Sequence, residues 1–196
     1  MQMPFGSILK RAFYARPAIE VARDLLGRIL VHGRCAGRIV ETEAYLGVND
    51  LAAHSSRGIT PRTQVIFGPP GHAYVYFIYG MHECLNLVAE QKGSAGCVLI
   101  RALEPLAGLD LMRVRRVRES ILDLASGPGK LTQAFGISRA QNGADVTRGT
   151  LVVRSGGDQP FEIAATPRIG ITKCADLPLR FVIAGSRFVS HGVRNF

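Results

Sequence analysis

The clearest helical period in this chain runs from Pro17 to Leu26. Ala18, Val21, Ala22 and Leu25 recur there at helical spacing, behind a proline suited to a first turn. Gly27 is placed to stop the helix. Beyond it the pattern changes. Short apolar runs alternate with turn residues at Arg28–His32, Arg38–Leu46, Ala73–Tyr79, Leu85–Ala89, Cys97–Leu103, Leu151–Val153 and Leu179–Ala184. These runs predict strands, and few intervals between them are long enough for helical crossovers, so pairing should be largely antiparallel. Two more helices are predicted, Leu109–Leu124 and Lys130–Phe135. No repeat, low-complexity tract or linker interrupts the pattern. The expectation is a single α+β domain over residues 1–196, built round a curved, largely antiparallel sheet.

Composition narrows the class. A chain of 196 residues with 47% hydrophobic and 20% charged side chains can bury a core without disulfide or metal staples, and is not mainly disordered. Lys plus Arg number 24 against 15 Asp plus Glu, a net charge of +9, and arginine supplies 20 of the 24. Arginine makes planar bidentate contacts with phosphate, which favours a polyanionic partner; a GC-rich coding sequence would enrich it too. Cys35, Cys84, Cys97 and Cys174 form no CxxC pair and no zinc spacing, and read as reduced core or near-core thiols of an intracellular protein. No apolar segment follows Lys10 and Arg11 as a secretory signal would require. The longest stretch without a formal charge, Thr63 to His82, is broken by Gly68, Pro69, Pro70, Gly71 and Gly80, and makes a poor membrane span. A soluble protein is expected: cytoplasmic, at the nucleoid, in a bacterium, or nuclear in a eukaryote.

Three stretches could carry chemistry. In Arg38-Ile-Val-Glu-Thr-Glu-Ala-Tyr45 an extended chain puts Val40, Thr42, Ala44 and Leu46 on one face and Glu41, Glu43 and Tyr45 on the other. Two carboxylates about 6.5–7 Å apart beside an aromatic ring suit acid–base work next to a stacked substrate. Read alone, the segment fits more readily an edge strand with a solvated polar face. In Ala73-Tyr-Val-Tyr-Phe-Ile-Tyr79, Tyr74 and Tyr76 face one way and Tyr79 the other, just before Gly80. Buried hydroxyls at this density would all need partners, which favours a partly open aromatic site. Arg101 stands inside the apolar run Val98-Leu-Ile-Arg-Ala-Leu-Glu-Pro105 and needs an acidic partner, for which Glu43 would serve; a purely structural salt bridge or an edge position fits the run equally well. His54 reads as a hydrogen-bonded structural residue. Ser126-Gly-Pro-Gly-Lys130 lacks the features of a nucleotide-binding P-loop, yet could offer backbone N–H groups and Lys130 to a single phosphate at a helix start. Arg113, Arg115, Arg116 and Arg118 read as a solvated helix face.

Taken in order, seven blocks carry a resemblance: Ala22-Arg23-Asp24-Leu-Leu-Gly27, Arg38 to Tyr45, Thr60-Pro-Arg62, Phe67-Gly-Pro-Pro-Gly71 running into Tyr74 to Met81, Ile100-Arg-Ala-Leu-Glu-Pro105, Ser126-Gly-Pro-Gly-Lys-Leu131 and Pro178-Leu-Arg-Phe181. From about residue 8 onward the chain resembles the alkyladenine (3-methyladenine) DNA glycosylase family. The resemblance implies excision of alkylated and deaminated purines from double-stranded DNA by hydrolysis of the N-glycosidic bond, leaving an abasic site. It further implies no metal or cofactor, a monomer, and a compact fold with a protruding β-hairpin that enters the minor groove. It makes Glu43 the base for an attacking water held by Arg101 and a backbone carbonyl near Ile169. Tyr45 would stack on one face of the extruded base and His54 and Tyr76 on the other. Asn86 would oppose the amino group of normal guanine, and Tyr79 would fill the gap in the duplex. Arg62 and Lys130 would face the DNA, and Glu41 would be structural. Thr63 departs from the family, which commonly has asparagine there.

Two other classes compete. A non-catalytic reader of damaged nucleic acid would not need Glu43 with Arg101. A hydrolase of free nucleosides would not need the +9 charge or an exposed Tyr79.

Overall fold

The computed structural model describes residues 5–78, 80–157 and 159–190. Its strands are β1 (Ile29–His32), β2 (Cys35–Tyr45), β3 (Ala73–Ile78), β4 (His82–Ala89), β5 (Gly96–Ala107), β6 (Leu151–Arg154), β7 (Ile163–Thr166) and β8 (Arg180–Ile183). They form one sheet in the order β3-β4-β5-β2-β1-β6, with β8 on β2 and β7 on β8. Every pairing is antiparallel. The helices are α1 (Arg11–Tyr14), α2 (Ala18–Leu25), α3 (Leu109–Arg116), α4 (Ile121–Leu124) and α5 (Pro128–Phe135). The α+β class and the curled antiparallel sheet expected above are what the chain forms. Among the described residues no helix is long and apolar enough to cross a membrane.

The main core lies between one face of the sheet and the helices. Helix α2 buries Ala18, Val21, Ala22 and Leu25, the four positions its period marks. Each large side chain so buried is worth about 1.5–3 kcal/mol. Strands contribute alternate residues to the same core, among them Ala44, Ala73, Val75, Leu85, Leu87, Val98 and Ile100. The opposite face carries a smaller cluster of Ile66, Tyr74, Val88, Ala95 and Cys97, against which Tyr45 and Tyr76 pack. The site lies on this second face.

Strand β2 is not an edge. It pairs with β5 along one side, while its other side is shared, Cys35–Arg38 with β1 and Glu41–Glu43 with β8. The polar face read as solvated is therefore buried, and Glu41, Thr42 and Glu43 have no exposed surface. A register shift on either side of Glu41 bends the strand there.

Three further differences have local causes. The helix expected over Leu109–Leu124 is two helices, because Val117 adopts a left-handed conformation (φ +50°, ψ 51°) that ends α3 and lets α4 restart after Ser120. Helix α1 and strand β7 were not predicted; each has four residues, too few to show a period. Cys35, Cys84 and Cys97 are buried free thiols, whereas Cys174 is half-buried outside any regular element.

Candidate active site

Pairing across the sheet aligns one row of side chains. Tyr74 on β3 is opposite Asn86 on β4, Asn86 opposite Leu99 on β5, Leu99 opposite Glu43 on β2, and Glu43 opposite Arg180 on β8. A neighbouring row runs Val88, Cys97, Tyr45. Directly opposed residues on one face have Cβ atoms about 4.5–5.5 Å apart, so each row is a continuous wall. The chain after β2 folds back over this wall, bringing Ala52, His54 and Ile66 across it. The turn at Ile169–Ile171 and the start of α5 at Pro128–Gly129 close two more sides. The result is a cavity of about 340 Å³ lined by Tyr45, His54, Tyr76, Asn86 and Arg101 together with Tyr74, Cys84, Cys97 and Leu99.

Glu43 belongs to the first of these rows but does not line the cavity; it touches three residues that do. Its Oε1 accepts a hydrogen bond from the Ile169 backbone N–H at 2.8 Å and faces Arg101 Nη1 at 3.2 Å. Its Oε2 accepts from the Tyr45 hydroxyl at 3.0 Å. The 168–170 turn, expected to hold the water through a carbonyl near Ile169, meets Glu43 itself through the Ile169 amide. Burial raises the proton affinity of Glu43 above the ordinary carboxylate value, and the opposing pull of Arg101 and the Ile169 amide does not cancel it.

Arg101 is shared between both glutamates. Its Nε donates to Glu41 Oε1 at 2.9 Å, closer than its contact with Glu43. Glu41 also accepts from Arg180 Nε at 2.7 Å, from Ser190 Oγ at 2.8 Å and from the Ser190 N–H at 2.6 Å. Burial works against the Glu41 anion, but Arg101, Arg180 and the Ser190 amide outweigh it and hold its pKa below the ordinary range. Two carboxylates on one strand face are thereby pushed apart by their surroundings.

The aromatic wall is interlocked. His54 Nδ1 lies 2.9 Å from the Tyr74 hydroxyl, and its ring meets Tyr76 edge-on with centroids 4.5 Å apart. Burial, then the charges of Arg62 and Arg57, pushes the His54 pKa down to about 4, so the imidazole is neutral at pH 7. Arg62 itself lies over the Tyr76 ring at 5.1 Å. Asn86 donates from Nδ2 to the Tyr74 carbonyl at 3.3 Å. Thr63, the departure from the family, stitches its turn: its hydroxyl accepts from the Thr60 N–H and donates to the Gly58 carbonyl, both at 2.8 Å.

Glu43, Arg62 and Lys130 do not line the cavity. Lys130, in the first turn of α5, reaches Ser126 Oγ at 3.4 Å and Asp123 at 3.9 Å. Tyr79 lies outside the described residues. Sequence reasoning missed the group behind Tyr45. Arg168 lies over that ring at 4.7 Å and is bound through both terminal nitrogens to Asp50. It missed Arg180 as well, although an arginine inside Leu179-Arg-Phe-Val-Ile183 carries the same signal that marked Arg101. Among the described residues no three His, Cys, Asp or Glu side chains gather closely enough to hold a metal ion.

Comparison with known proteins supplies the context. A family profile described as methylpurine-DNA glycosylase matches residues 12–187. A protein of Methanoculleus marisnigri is 57% identical over 189 residues, covering 93% of this chain and 98% of its own. Proteins of Koribacter versatilis and Rhodopseudomonas palustris are 51% and 53% identical, covering 93% and 94% of this chain and 92% and 89% of theirs. All three bear the name "Putative 3-methyladenine DNA glycosylase".

Proposed function

Because this chain belongs to the methylpurine-DNA glycosylase family, and so is a hydrolase of N-glycosyl bonds in DNA, we propose that it swings the damaged purine out of the duplex into the Tyr45–His54–Tyr76 cavity, where Glu43 activates the attacking water. A base inside the stack is out of reach of any side chain, and extruding it costs a few kcal/mol, least where damage has weakened its pairing. Alkylation at a ring nitrogen makes the purine cationic, which favours a slot between tyrosine faces and a neutral imidazole. His54 at about 4 meets that requirement.

The observation that carries the reading is the state of Glu43: a buried carboxylate with raised proton affinity, abutting three residues of the cavity wall. A base works best when its pKa approaches the working pH. Among the described residues Oε2 is held only by the Tyr45 hydroxyl, and we infer that it takes the proton once that hydroxyl turns away to let the ring stack. The water oxygen bonds to the sugar C1′, the N-glycosidic bond breaks, and its electron pair leaves with the purine and neutralises it. The water proton passes to Glu43. Arg101 and the 168–170 turn orient the water. Asn86, recessed between Tyr74 and Leu99, opposes the exocyclic amino group of normal guanine. Tyr79 fills the space the base vacates, while Arg62 and Lys130 meet the phosphates. The working unit is one domain over residues 1–196, acting as a monomer.

Glu43→Gln tests this directly. The variant should bind a duplex containing one methylated purine as the native protein does, while its single-turnover release of the base falls at least a thousandfold, on the order of a lost general base compounded by its water site. Release at the native rate would refute the assignment.

A further inference from the structure

We propose that Glu41 is a positioning residue for this same site: by holding Arg101 jointly with Arg180 and Ser190, it sets how much positive charge reaches Glu43. The inference rests on Glu43 acting as the base.

Four charged side chains meet here with almost no solvent. Glu41, Glu43 and Arg180 have no exposed surface and Arg101 is 7% exposed. Two anions face two cations, and the group is neutral as a whole. Glu41 Oε1 is the hub, accepting from both guanidinium Nε atoms and from Ser190 Oγ. Arg101 turns its Nε to Glu41 and its Nη1 to Glu43, so one planar cation is divided between a structural and a reactive carboxylate. The guanidinium plane is rigid. Anchoring one side of it on Glu41 therefore fixes where the other side meets Glu43.

Charged and titratable groups face Glu43 from several elements packed against it. Arg101 arrives from β5, Cys84 from β4, Arg180 from the facing position of β8, and Arg168 from the turn before Ile169; Tyr45 and Glu41 share its own strand. Among these, Glu41 and Arg180 make no hydrogen bond to Glu43 and line no part of the cavity. Glu41 acts on Glu43 through its own negative charge and through Arg101, which the two glutamates share. Glu41→Gln keeps an acceptor for Arg101 but leaves two cations facing one anion, which favours ionised Glu43 and weakens it as a base. Arg180→Gln leaves one cation facing two anions and does the opposite. A merely structural role would lower stability in both variants without displacing the titration in opposite senses.

The experiment is single-turnover release of an N-alkylated, already cationic purine from a duplex across pH, with folding checked by circular dichroism. Such a base needs no protonation to leave, so the acid limb of the profile reports Glu43. In Glu41→Gln the limb should move to lower pH by about one to three units, as expected for a lost neighbouring charge, with a reduced plateau. In Arg180→Gln it should move to higher pH. If Glu41→Gln does not fold, Arg180→Gln alone decides the matter through its upward shift. An acid limb unmoved in the folded variants overturns the inference, provided Glu43→Gln is inactive. An active Glu43→Gln would instead bring down the reading of Glu43 itself, so the two failures are distinct.

Discussion

Asp50→Asn offers the sharpest test of how the aromatic wall is held. Asp50 and Arg168 are paired with side chains only 1% and 0% exposed. Asp50 also accepts backbone bonds from Leu46 at 3.2 Å and Ala52 at 3.1 Å. An asparagine retains an acceptor for one of those amides but removes the negative charge, stranding a buried guanidinium. Breaking a buried pair from one side costs about 3–5 kcal/mol. At about 2–4 °C per kcal/mol for a chain of this size, Tm should fall by about 6–20 °C. Arg168→Met should cost less, about 1.5–3 kcal/mol, because Asp50 keeps its two backbone donors. The double variant should then cost less than the sum, since neither charge is left alone, with a coupling of about 1–3 kcal/mol. Urea unfolding followed by circular dichroism measures all four corners of the cycle. Arg168→Met should also slow base release, as Tyr45 loses the cation stacked 4.7 Å from its ring centre. Single costs that simply add, or an Asp50→Asn cost below about 1 kcal/mol, would refute the reasoning.

Two other outcomes follow from the same geometry. The unfolded chain protonates His54 near its ordinary value of about 6.5, whereas the native imidazole waits until about 4. Stability should therefore fall as pH drops through that window. Arg62→Ala should raise the native value and narrow that window, the former readable from the imidazole resonances, and an unmoved His54 would leave burial and Arg57 as its causes. Gly47 adopts φ +83°, and a Cβ there would meet the Ser94 carbonyl oxygen at 2.3 Å. Gly47→Ala should cost about 2–4 kcal/mol in thermal unfolding and disturb the segment that carries His54; a loss under about 1 kcal/mol would contradict that packing.

Much of this protein is legible along the chain because periodicity is local. The period of 3.6 at Ala18, Val21, Ala22 and Leu25 named the buried face of α2. The period of 2 put Glu41, Glu43 and Tyr45 on one side of β2 and Tyr74 and Tyr76 on one side of β3, and an arginine inside an apolar run announced a buried ion pair. The order of the blocks implied the family that the comparisons show. Tertiary structure decided the rest. Strand β2 could be read as a solvated edge until β5, β1 and β8 were seen on both its sides, because burial depends on neighbours that lie far off in sequence. Which glutamate Arg101 approaches most closely, and how differently the two titrate, depended on Arg180 and Ser190, which come from the far end of the chain. The Arg168 support behind Tyr45 was invisible for the same reason: 118 residues separate it from Asp50. Local sequence sets which way a side chain points; the charges that set its pKa arrive through space, from strands and turns that only the folded sheet brings together.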